Sequence, residues 1–368
     1  MTEGFDSTTG LAPVPVQYEY SANLPILIEQ LSFSIVISTY QASRLVSVGS
    51  AGGELRVGFS HFPLAMGITR TPTGLAVCSQ DRVWSLEANQ AIAASIQPEH
   101  QHDIAFLARS CHLTGPVMGH DLAFCNGELL LVNTQFNCVA AVGGPWSFTP
   151  RWKPPFISAL KPEDRCHLNG LALNANGDGL AYATALGEGD AADSWRASKT
   201  SGGCLIDIQT NRVVLRGMAM PHSPRLHQGQ LLWLHSGEGA LMASDPSQLS
   251  AFESALPWQK ASRTILELPG FTRSLDCWGD LAVVAVSKIL ETAVFGGLPL
   301  EQRLADRRCG IALVNLRTSE LLAWLWFQSG VEEIFGVSFL PGWHNPVLVG
   351  PDINIDNNHS IWIVNQTV

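Results

Sequence analysis

The chain has 368 residues, of which 46% are hydrophobic and only 15% charged, and its formal net charge is −10 at pH 7. This composition is typical of a well-buried globular protein. An acidic chain with no basic block is a poor partner for nucleic acid or for an anionic membrane surface. The eight cysteines are scattered without a CxxC pair, and the N-terminus lacks a signal-peptide pattern. We therefore expect free thiols, a cytoplasmic location, and neither a nucleic-acid nor a membrane partner.

Short apolar strands separated by turn residues recur along the chain about every 50 residues. In chain order the repeating stretches are FSIVISTYQASRLVSVG, MGITRTPTGLAVCSQDRVWSL, MGHDLAFCNGELLLVNTQFNCVAAV, LNGLALNANGDGLAYATAL, PHSPRLHQGQLLWLHSGEGAL, FTRSLDCWGDLAVVAVSK and FGVSFLPGWHNPVLVGPD. Most begin as hairpins, and third and fourth strands such as CLIDIQT and VVLRGMAM follow. The pattern predicts an all-β fold, a single β-propeller of four-stranded antiparallel blades.

The number of blades depends on how the two ends of the chain are counted. Turns between second and third strands are placed near Gln41, Gln80, Gln135, Glu188, Ser236, Lys288 and Asp352. Seven such turns favour seven blades, and a six-bladed ring whose ends share one blade is the alternative. In both cases the N- and C-terminal segments close the ring. We divide the chain into an N-terminal extension (1–30) and a propeller (31–368), with short helices in ANLPILIEQLSFS and LPLEQRLADRR.

Polar residues recur at one position early in the first strand of the blades, which lines the central channel of a propeller. Aligned through the turns, this position is occupied by Met66, His120, Asn169, His222, Thr272 and Phe335. Because side chains alternate along a strand, His167 and Glu333 lie on the same side two residues earlier. The repeat therefore predicts several imidazoles and a carboxylate near one level of the channel.

Such a set supports two chemistries. One is a divalent-metal site formed by His120, His167, His222 and Glu333, whose nitrogen donors favour a first-row transition metal over calcium. The other is metal-free acid–base catalysis, with His120, His222 and Glu333 as the candidate groups. A third interpretation is that these residues merely fill a polar channel with hydrogen bonds. No nucleotide-binding motif is present in the sequence, so no nucleotide cofactor is expected.

Two long loops on the predicted channel face suggest recognition elements, 187–203 and 287–309. In the first loop, Trp195 and Arg196 are expected to form a stacking surface and an anion clamp, with Lys199 assisting. The complete set of candidate substrate-binding residues comprises Gln41, Asn133, Asn169, Glu188, Trp195, Arg196, Lys199, Glu238, Thr272, Arg273 and Lys288.

Several longer stretches, among them STYQASRL, HLNGLAL, FGGLPLEQR and VEEIF, resemble a family of bacterial proteins of uncharacterised function, some fused to tetratricopeptide repeats. More distantly, the NGLAL turn resembles those of the gluconolactonase, strictosidine synthase and virginiamycin B lyase propellers. The first of these implies a channel metal held by Glu, Asn and Asp, roles that Asn169 and Glu333 match. His120 and His222 depart from it and suit the lyase better, because the lyase implies a His base beside a metal.

Two functions follow as expectations. The first is an enzyme acting at the channel mouth on a small polar or anionic metabolite or a peptide-like compound. It would be a lyase, isomerase or hydrolase with a His acid/base, assisted by a metal. The second is a non-catalytic scaffold that binds a protein or peptide partner on the same face. The scaffold predicts that Trp195 and the loop 287–309 matter more than the channel histidines.

Overall fold

The computed structural model describes residues 15–288, 296–352 and 361–363. Its strands form six sheets, one per blade. Blade 1 combines both ends of the chain, and from its inner edge outward it consists of β26 (Gly336–Pro341), β2 (Phe33–Thr39), β3 (Arg44–Ala51) and β4 (Glu54–His61). The C-terminal inner strand thus pairs with the first strand of the N-terminal half and closes the ring.

The next two blades follow the chain from the inside outward. Blade 2 contains β5 (Ala65–Thr71), β6 (Gly74–Ser79), β7 (Arg82–Asn89) and β8 (Ile104–Leu113), and β27 (Pro346–Val349) adds to β8 in parallel. Blade 3 contains β9 (Gly119–Cys125), β10 (Glu128–Asn133), β11 (Cys138–Val142) and β12 (Thr149–Trp152).

The last three blades have the same order. Blade 4 contains β13 (Leu168–Leu173), β14 (Leu180–Ala185), β15 (Gly203–Asp207), β16 (Arg212–Met218) and the short parallel β20 (Leu256–Pro257). Blade 5 contains β17 (Pro221–His227), β18 (Gln230–His235), β19 (Ala240–Ser244) and β21 (Ser262–Glu267). Blade 6 contains β22 (Phe271–Trp278), β23 (Leu281–Ser287), β24 (Cys309–Asn315) and β25 (Glu320–Ser329), with β1 (Gln17–Tyr20) on its outer edge.

Helices are short and lie between strands. Those in the described ranges are α1 (Leu24–Leu31), α2 (Gln90–Ala93), α3 (Pro246–Ser250), α4 (Trp258–Ala261), α5 (Pro299–Arg303) and a 3₁₀ helix at Ser194–Ser198. Both helices expected from the sequence are confirmed, as α1 and α5. Among the described residues, no helix is long and apolar enough to cross a membrane, and all eight cysteines are free.

The hydrophobic core is divided among the six interfaces between neighbouring blades. Central strands lie between two blades and are buried on both faces, so β2 reads as the unbroken run FSIVIST with all seven residues buried. The outer strand β4 is less covered by its surroundings, and most of its residues reach solvent. Two elements of the predicted N-terminal extension join this packing. β1 pairs with β25, and α1 buries Leu24 and Ile28.

The preference for seven blades is wrong, and the six-bladed alternative holds. Six of the seven predicted turns connect second and third strands, but the unit near Asp352 is not a blade. Its two strands belong to different sheets, because β26 completes blade 1 and β27 extends the outer edge of blade 2. The predicted closure by both chain ends is confirmed. The long loop 287–309 is described only in part, and its residues 289–295 lie outside the described ranges.

Candidate active site at the channel mouth

Each inner strand has one residue at an equivalent early position, and in four of the six blades a repeated backbone turn precedes it. These residues, here called the ring positions, are Met66, His120, Asn169, His222, Thr272 and Phe335. Two residues before four of them the backbone is left-handed, at Leu64, Met118, His167 and Met220, with φ between 49° and 53°. Register irregularities follow near the ring position in β5, β13, β17 and β22. A bulge of this kind re-aims the next side chain, which is why such irregularities often occur beside functional sites.

A cavity of about 210 Å³ opens at this end of the ring. Its walls combine aromatic and thioether groups with a few charged and imidazole side chains. The lining residues are Tyr40, Gln41, Met66, Met118, His120, Asp164, His167, Trp195, Arg196, Met220, Phe271, Arg273, Ser287, Lys288, Glu333 and Phe335. A largely apolar cleft with a small number of polar groups is the usual form of a small-molecule site.

His120 is fixed in one tautomer by the two groups around Nδ1. This atom lies 2.9 Å from the carbonyl oxygen of Met118 and 2.7 Å from Thr134 Oγ1. The Thr134 hydroxyl donates its own hydrogen to the carbonyl oxygen of Leu168 at 2.6 Å. Both neighbours of Nδ1 therefore act as acceptors, which places the imidazole hydrogen on Nδ1 and leaves the Nε2 lone pair for the cavity.

His167 is oriented by a buried carboxylate. Its Nδ1 lies 2.8 Å from Asp164 Oδ2, and the same oxygen accepts a hydrogen bond from Trp195 Nε1 at 3.2 Å. The His167 ring packs between Trp195 and His120, at centroid distances of 4.4 and 4.7 Å. Asp164 thus fixes Nδ1–H as the donor, and Nε2 of His167 remains available on the cavity side.

His222 has the same local environment as His120 but a different neighbour. Its Nδ1 lies 2.9 Å from the carbonyl oxygen of Met220 and 2.8 Å from Ser236 Oγ. Its Nε2 accepts a hydrogen bond from Nη1 of Arg273. The guanidinium of Arg273 in turn lies 4.0 Å from the centroid of the Phe335 ring. His222 therefore lies behind Arg273 and does not line the cavity.

Burial sets the protonation of these groups. It holds the pKa of His120 well below its usual range, and the nearby His167 and Arg273 lower it further. Burial and Arg273 hold the pKa of His222 well below its usual range in the same way. Burial also lowers the pKa of Arg273 to about 10, against an opposing effect of Glu333. At neutral pH Arg273 is therefore cationic, whereas His120 on the cavity wall and His222 behind Arg273 are neutral.

The predicted metal ligands lie near one another but do not fit a metal. In the described part of the chain, no three His, Cys, Asp or Glu side chains form a group that could hold a metal ion. The Nε2 lone pair of His222 is used by Arg273, whose positive charge lies where a cation would have to bind. We therefore derive no chemical step through a metal, and a metal cofactor stays a prediction from sequence.

The predicted substrate-binding residues fall into two groups. Those that line the cavity are Gln41, Trp195, Arg196, Arg273 and Lys288, and Glu333, predicted as a catalytic group and metal ligand, lines it too. The others lie outside it, namely Asn133, Asn169, Glu188, Lys199, Glu238 and Thr272.

Most of the outlying residues have structural partners. Both ends of the Asn169 amide are bonded, since Thr184 Oγ1 donates to Oδ1 at 2.7 Å and Nδ2 donates to the Pro221 carbonyl at 3.0 Å. Asn133 accepts from the backbone N–H of Phe136 in a turn. Glu188 forms a two-point ion pair with Arg216. Thr272 is fully buried, and Lys199 follows the 3₁₀ helix.

Trp195 differs from the expected exposed stacking surface. Its side chain is 2% exposed, because the 3₁₀ helix turns it inward against His167. Arg196 covers the ring from the outside at 4.5 Å and pairs with Asp193 at 2.9 Å. The tryptophan therefore acts as a wall of the cavity and a donor to Asp164, and a partner protein cannot reach its face.

Six lining residues were not predicted from the sequence, namely Tyr40, Met118, Asp164, Met220, Phe271 and Ser287. Asp164 is the most consequential, and its signal was the spacing DRCH, which puts a carboxylate three residues before a channel histidine. Asp164 lies in a loop before β13, and an alignment of the repeated strands does not include this loop.

Six sheets around a channel, with a cavity at one mouth, define the protein as a six-bladed β-propeller. The chain belongs to the family described as "Domain of unknown function (DUF4915)", whose model matches residues 22–349. A comparison with curated proteins finds no match.

Similar solved structures are propellers with little sequence identity. They include a nidogen/laminin complex (TM-score 0.49, 10% identity, 84% of this chain and 99% of that one). A putative 6-phosphogluconolactonase from Bacteroides fragilis has a TM-score of 0.46 at 10% identity (84% and 98%). Virginiamycin B lyase from Staphylococcus aureus has 0.38 at 9% identity (69% and 73%). Because a fold does not by itself fix a function, the function has to be argued from the site.

Proposed function

We propose that this protein is an enzyme that moves a proton on a small anionic substrate bound at the channel mouth, with His167 as the general base. The observation that supports this most directly is the contact of 2.8 Å between Nδ1 of His167 and the buried carboxylate of Asp164. A carboxylate in this position selects one tautomer, orients the ring and stabilises the imidazolium that forms when Nε2 accepts a proton. Lyase or isomerase chemistry fits this arrangement.

His167 is a better base than its neighbours. The pKa of His120 is held well below its usual range, so its imidazole is a weak proton acceptor near neutral pH. Nε2 of His222 is already occupied by Arg273. Only His167 combines an oriented ring with a carboxylate that can offset the positive charge of the protonated form.

The base acts on the substrate or on water, because the described part of the chain offers no protein nucleophile hydrogen-bonded to it. No hydroxyl or thiol of the described residues forms a hydrogen bond with Nε2 of His167. The Ser287 hydroxyl lines the cavity, but it donates to the carbonyl oxygen of Ile334 and accepts from the N–H of the same residue, both at 2.9 Å. The proton passes to Nε2 and its bonding electrons stay on the substrate as a developing anion. Arg273 is close enough to the cavity to stabilise that anion.

The experiment measures proton removal directly. The protein is incubated in D₂O with a panel of small carboxylic acids that carry acidic C–H bonds, and exchange of hydrogen for deuterium is followed by NMR. We expect His167→Gln to lower the exchange rate of an active compound by about 10²- to 10⁴-fold, and Asp164→Asn to lower it less. His100→Gln, in an exposed loop, is the matched control.

Two results would count against the proposal. Equal exchange by wild-type protein and His167→Gln would remove His167 as the base. Lack of exchange across the panel, together with capture of a protein partner that survives His167→Gln, would favour the scaffold function. Because Trp195 is buried, that alternative now predicts contacts through the exposed Arg196 rather than through the tryptophan.

A further inference from the structure

Arg273 is a buried cation that forms no ion pair with a carboxylate of the described residues. Its side chain projects into the cavity, and the residue is 8% exposed. Within the described residues its contacts are a hydrogen bond to Nε2 of His222 and a cation–π contact with Phe335 at 4.0 Å. Glu333 acts on it only as a nearby charge, without an ion pair between the two. Removing a guanidinium from water without a counter-charge is unfavourable, so the arrangement indicates that an anion completes it.

The position of Arg273 in the repeat is unusual. It follows its ring position at the bulge of β22, between Thr272 and Ser274. The corresponding residue is Gly67 in blade 2, Gly170 in blade 4 and Gly336 in blade 1. At Gly170 even a Cβ would lie 2.5 Å from a neighbouring proline atom. A long cationic side chain at this level requires its own space, and here that space opens into the cavity.

The residues around Arg273 hold it without cancelling its charge. His222 is neutral and its hydrogen lies on Nδ1, so Nε2 can only accept from the guanidinium. The face of Phe335 attracts a cation but carries no net charge. A carboxylate in either place would have formed a closed ion pair. His222 is therefore a positioning residue for Arg273.

We infer that Arg273 anchors a carboxylate group of the ligand, in the cavity that the proposed function assigns to the substrate. This inference rests on that proposed function for the identity of the ligand as a substrate. A single guanidinium presents a planar pair of donors that matches a carboxylate in a two-point contact. A phosphate dianion is less suitable, because Asp164 and Glu333 line the same cavity and the other cations have partners. Arg196 pairs with Asp193 at 2.9 Å, and Lys288 lies 3.9 Å from Glu332.

The cavity walls also indicate the rest of the ligand. Aromatic rings of Tyr40, Trp195, Phe271 and Phe335 line the same cavity as Arg273. A group next to the carboxylate would therefore be flat or apolar. Phenylacetate is a suitable probe for this shape, and phenylacetamide has nearly the same shape without the charge.

The test compares these two probes on the intact protein by calorimetric titration and thermal shift. We expect phenylacetate to bind wild-type protein at least tenfold more tightly than phenylacetamide, and inorganic phosphate to bind more weakly than phenylacetate. Arg273→Gln should weaken phenylacetate about 10- to 100-fold and leave phenylacetamide little changed, because a charged hydrogen bond is lost. Arg273→Lys should bind with intermediate affinity. Arg317→Gln, on a side chain 76% exposed, is the matched control.

The comparison of probes on wild-type protein keeps the inference testable if the variants fail to fold. Equal affinity for phenylacetate and phenylacetamide would overturn it, and so would full phenylacetate binding by Arg273→Gln. Tighter binding of phosphate would assign the site to another anion and also overturn it. The proposed function fails separately. If His167→Gln binds phenylacetate normally and wild-type protein shows no exchange on any compound, the anion site stands and the base does not.

Discussion

The acid sensitivity of the fold is expected to depend on His235, at the end of β18. The residue is 1% exposed, and its ring packs against Trp233 and Trp258 at centroid distances of 5.5 and 4.6 Å. Its Nε2 accepts the backbone N–H of Ala219 at 2.9 Å, so the hydrogen lies on Nδ1, which has no hydrogen-bond partner among the described residues. Burial lowers the pKa of His235 to about 3. Replacing His235 by Gln keeps an acceptor for Ala219 and removes the titrating group.

The sign follows from proton uptake by the two states. In the unfolded chain a histidine takes up its proton near pH 6.5, whereas folded His235 stays neutral until about pH 3. Below about pH 6.5 the unfolded state therefore binds more protons than the folded state. Each further decrease of one pH unit lowers the free energy of unfolding by about 1.4 kcal/mol. The stabilisation is fully present above pH 6.5 and is lost as the pH falls toward 3. At about pH 4.5, two units below the unfolded pKa, the loss from His235 alone is about 2.7 kcal/mol.

Urea denaturation of wild-type protein and His235→Gln at about pH 8 and about pH 4.5 measures this difference. We expect the variant to lose about 2.7 kcal/mol less stability than wild type between the two conditions, whatever its stability at the higher pH. His120 and His222 are also buried with lowered pKa values and should preserve part of the acid sensitivity. The control His100→Gln should behave as wild type. An acid-induced loss in His235→Gln equal to that of wild type would refute the reasoning.

Three further predictions concern the ring itself. Asp121→Asn should lower the free energy of unfolding by about 3 kcal/mol in urea titrations, because it breaks the buried two-point pair with Arg225 at 2.8 and 3.1 Å. Gly170→Ala should cost about 1–3 kcal/mol in the same assay, since its Cβ would meet Pro224 at 2.5 Å. A chain that ends before β26 should lose the cooperative transition, because blade 1 lacks its inner strand. Cooperative unfolding of that chain would contradict the closure.

The fold was largely predictable because most blades are formed by strands that are consecutive in the sequence. Four strands that follow one another in sequence leave a readable pattern of apolar runs and turns, and six of the seven predicted turns lie where the repeat placed them. The closing blade could not be predicted in the same way. FGVSFLPGWHNPVLVGPD has two apolar runs around a glycine turn and looks like a hairpin. Its strands pair with partners about 300 and 240 residues away in the chain, β2 and β8, and no local pattern contains that information.

The candidate site was predictable only where it follows the strand repeat. Alignment of the blades placed His120 and His167 at one end of the channel, and both line the cavity, as does Arg273, which follows the aligned Thr272. It could not identify Asp164, which lies in a loop, or show that Trp195 folds inward over His167. The conformation of an irregular segment depends on its tertiary contacts and not on the periodicity of the sequence. Such segments often carry functional groups.

The comparison of His120 with His222 shows how the same residue takes different roles in two blades. Both imidazoles are held at Nδ1 by the carbonyl oxygen two residues earlier and by a hydroxyl 14 residues later. The two histidines differ in the residue that the next blade places beside them. Blade 4 places Gly170 beside His120, and blade 6 places Arg273 beside His222; each of these residues directly follows the ring position of its blade.

Glycine at that level leaves the Nε2 lone pair of His120 facing the cavity, where His167 approaches it. At the same level Arg273 donates a hydrogen bond to Nε2 of His222, so this histidine positions a cation instead of facing the cavity. Gly170 and Arg273 therefore decide which histidine faces a ligand. If this is correct, Arg273→Gly should open the Nε2 of His222 to the cavity. Its pKa should rise toward the usual histidine range, because a positive neighbour is lost and solvent is gained. NMR titration of the His222 ring in that variant and in wild-type protein would compare the two pKa values. A His222 pKa that is the same in both proteins would refute the assignment.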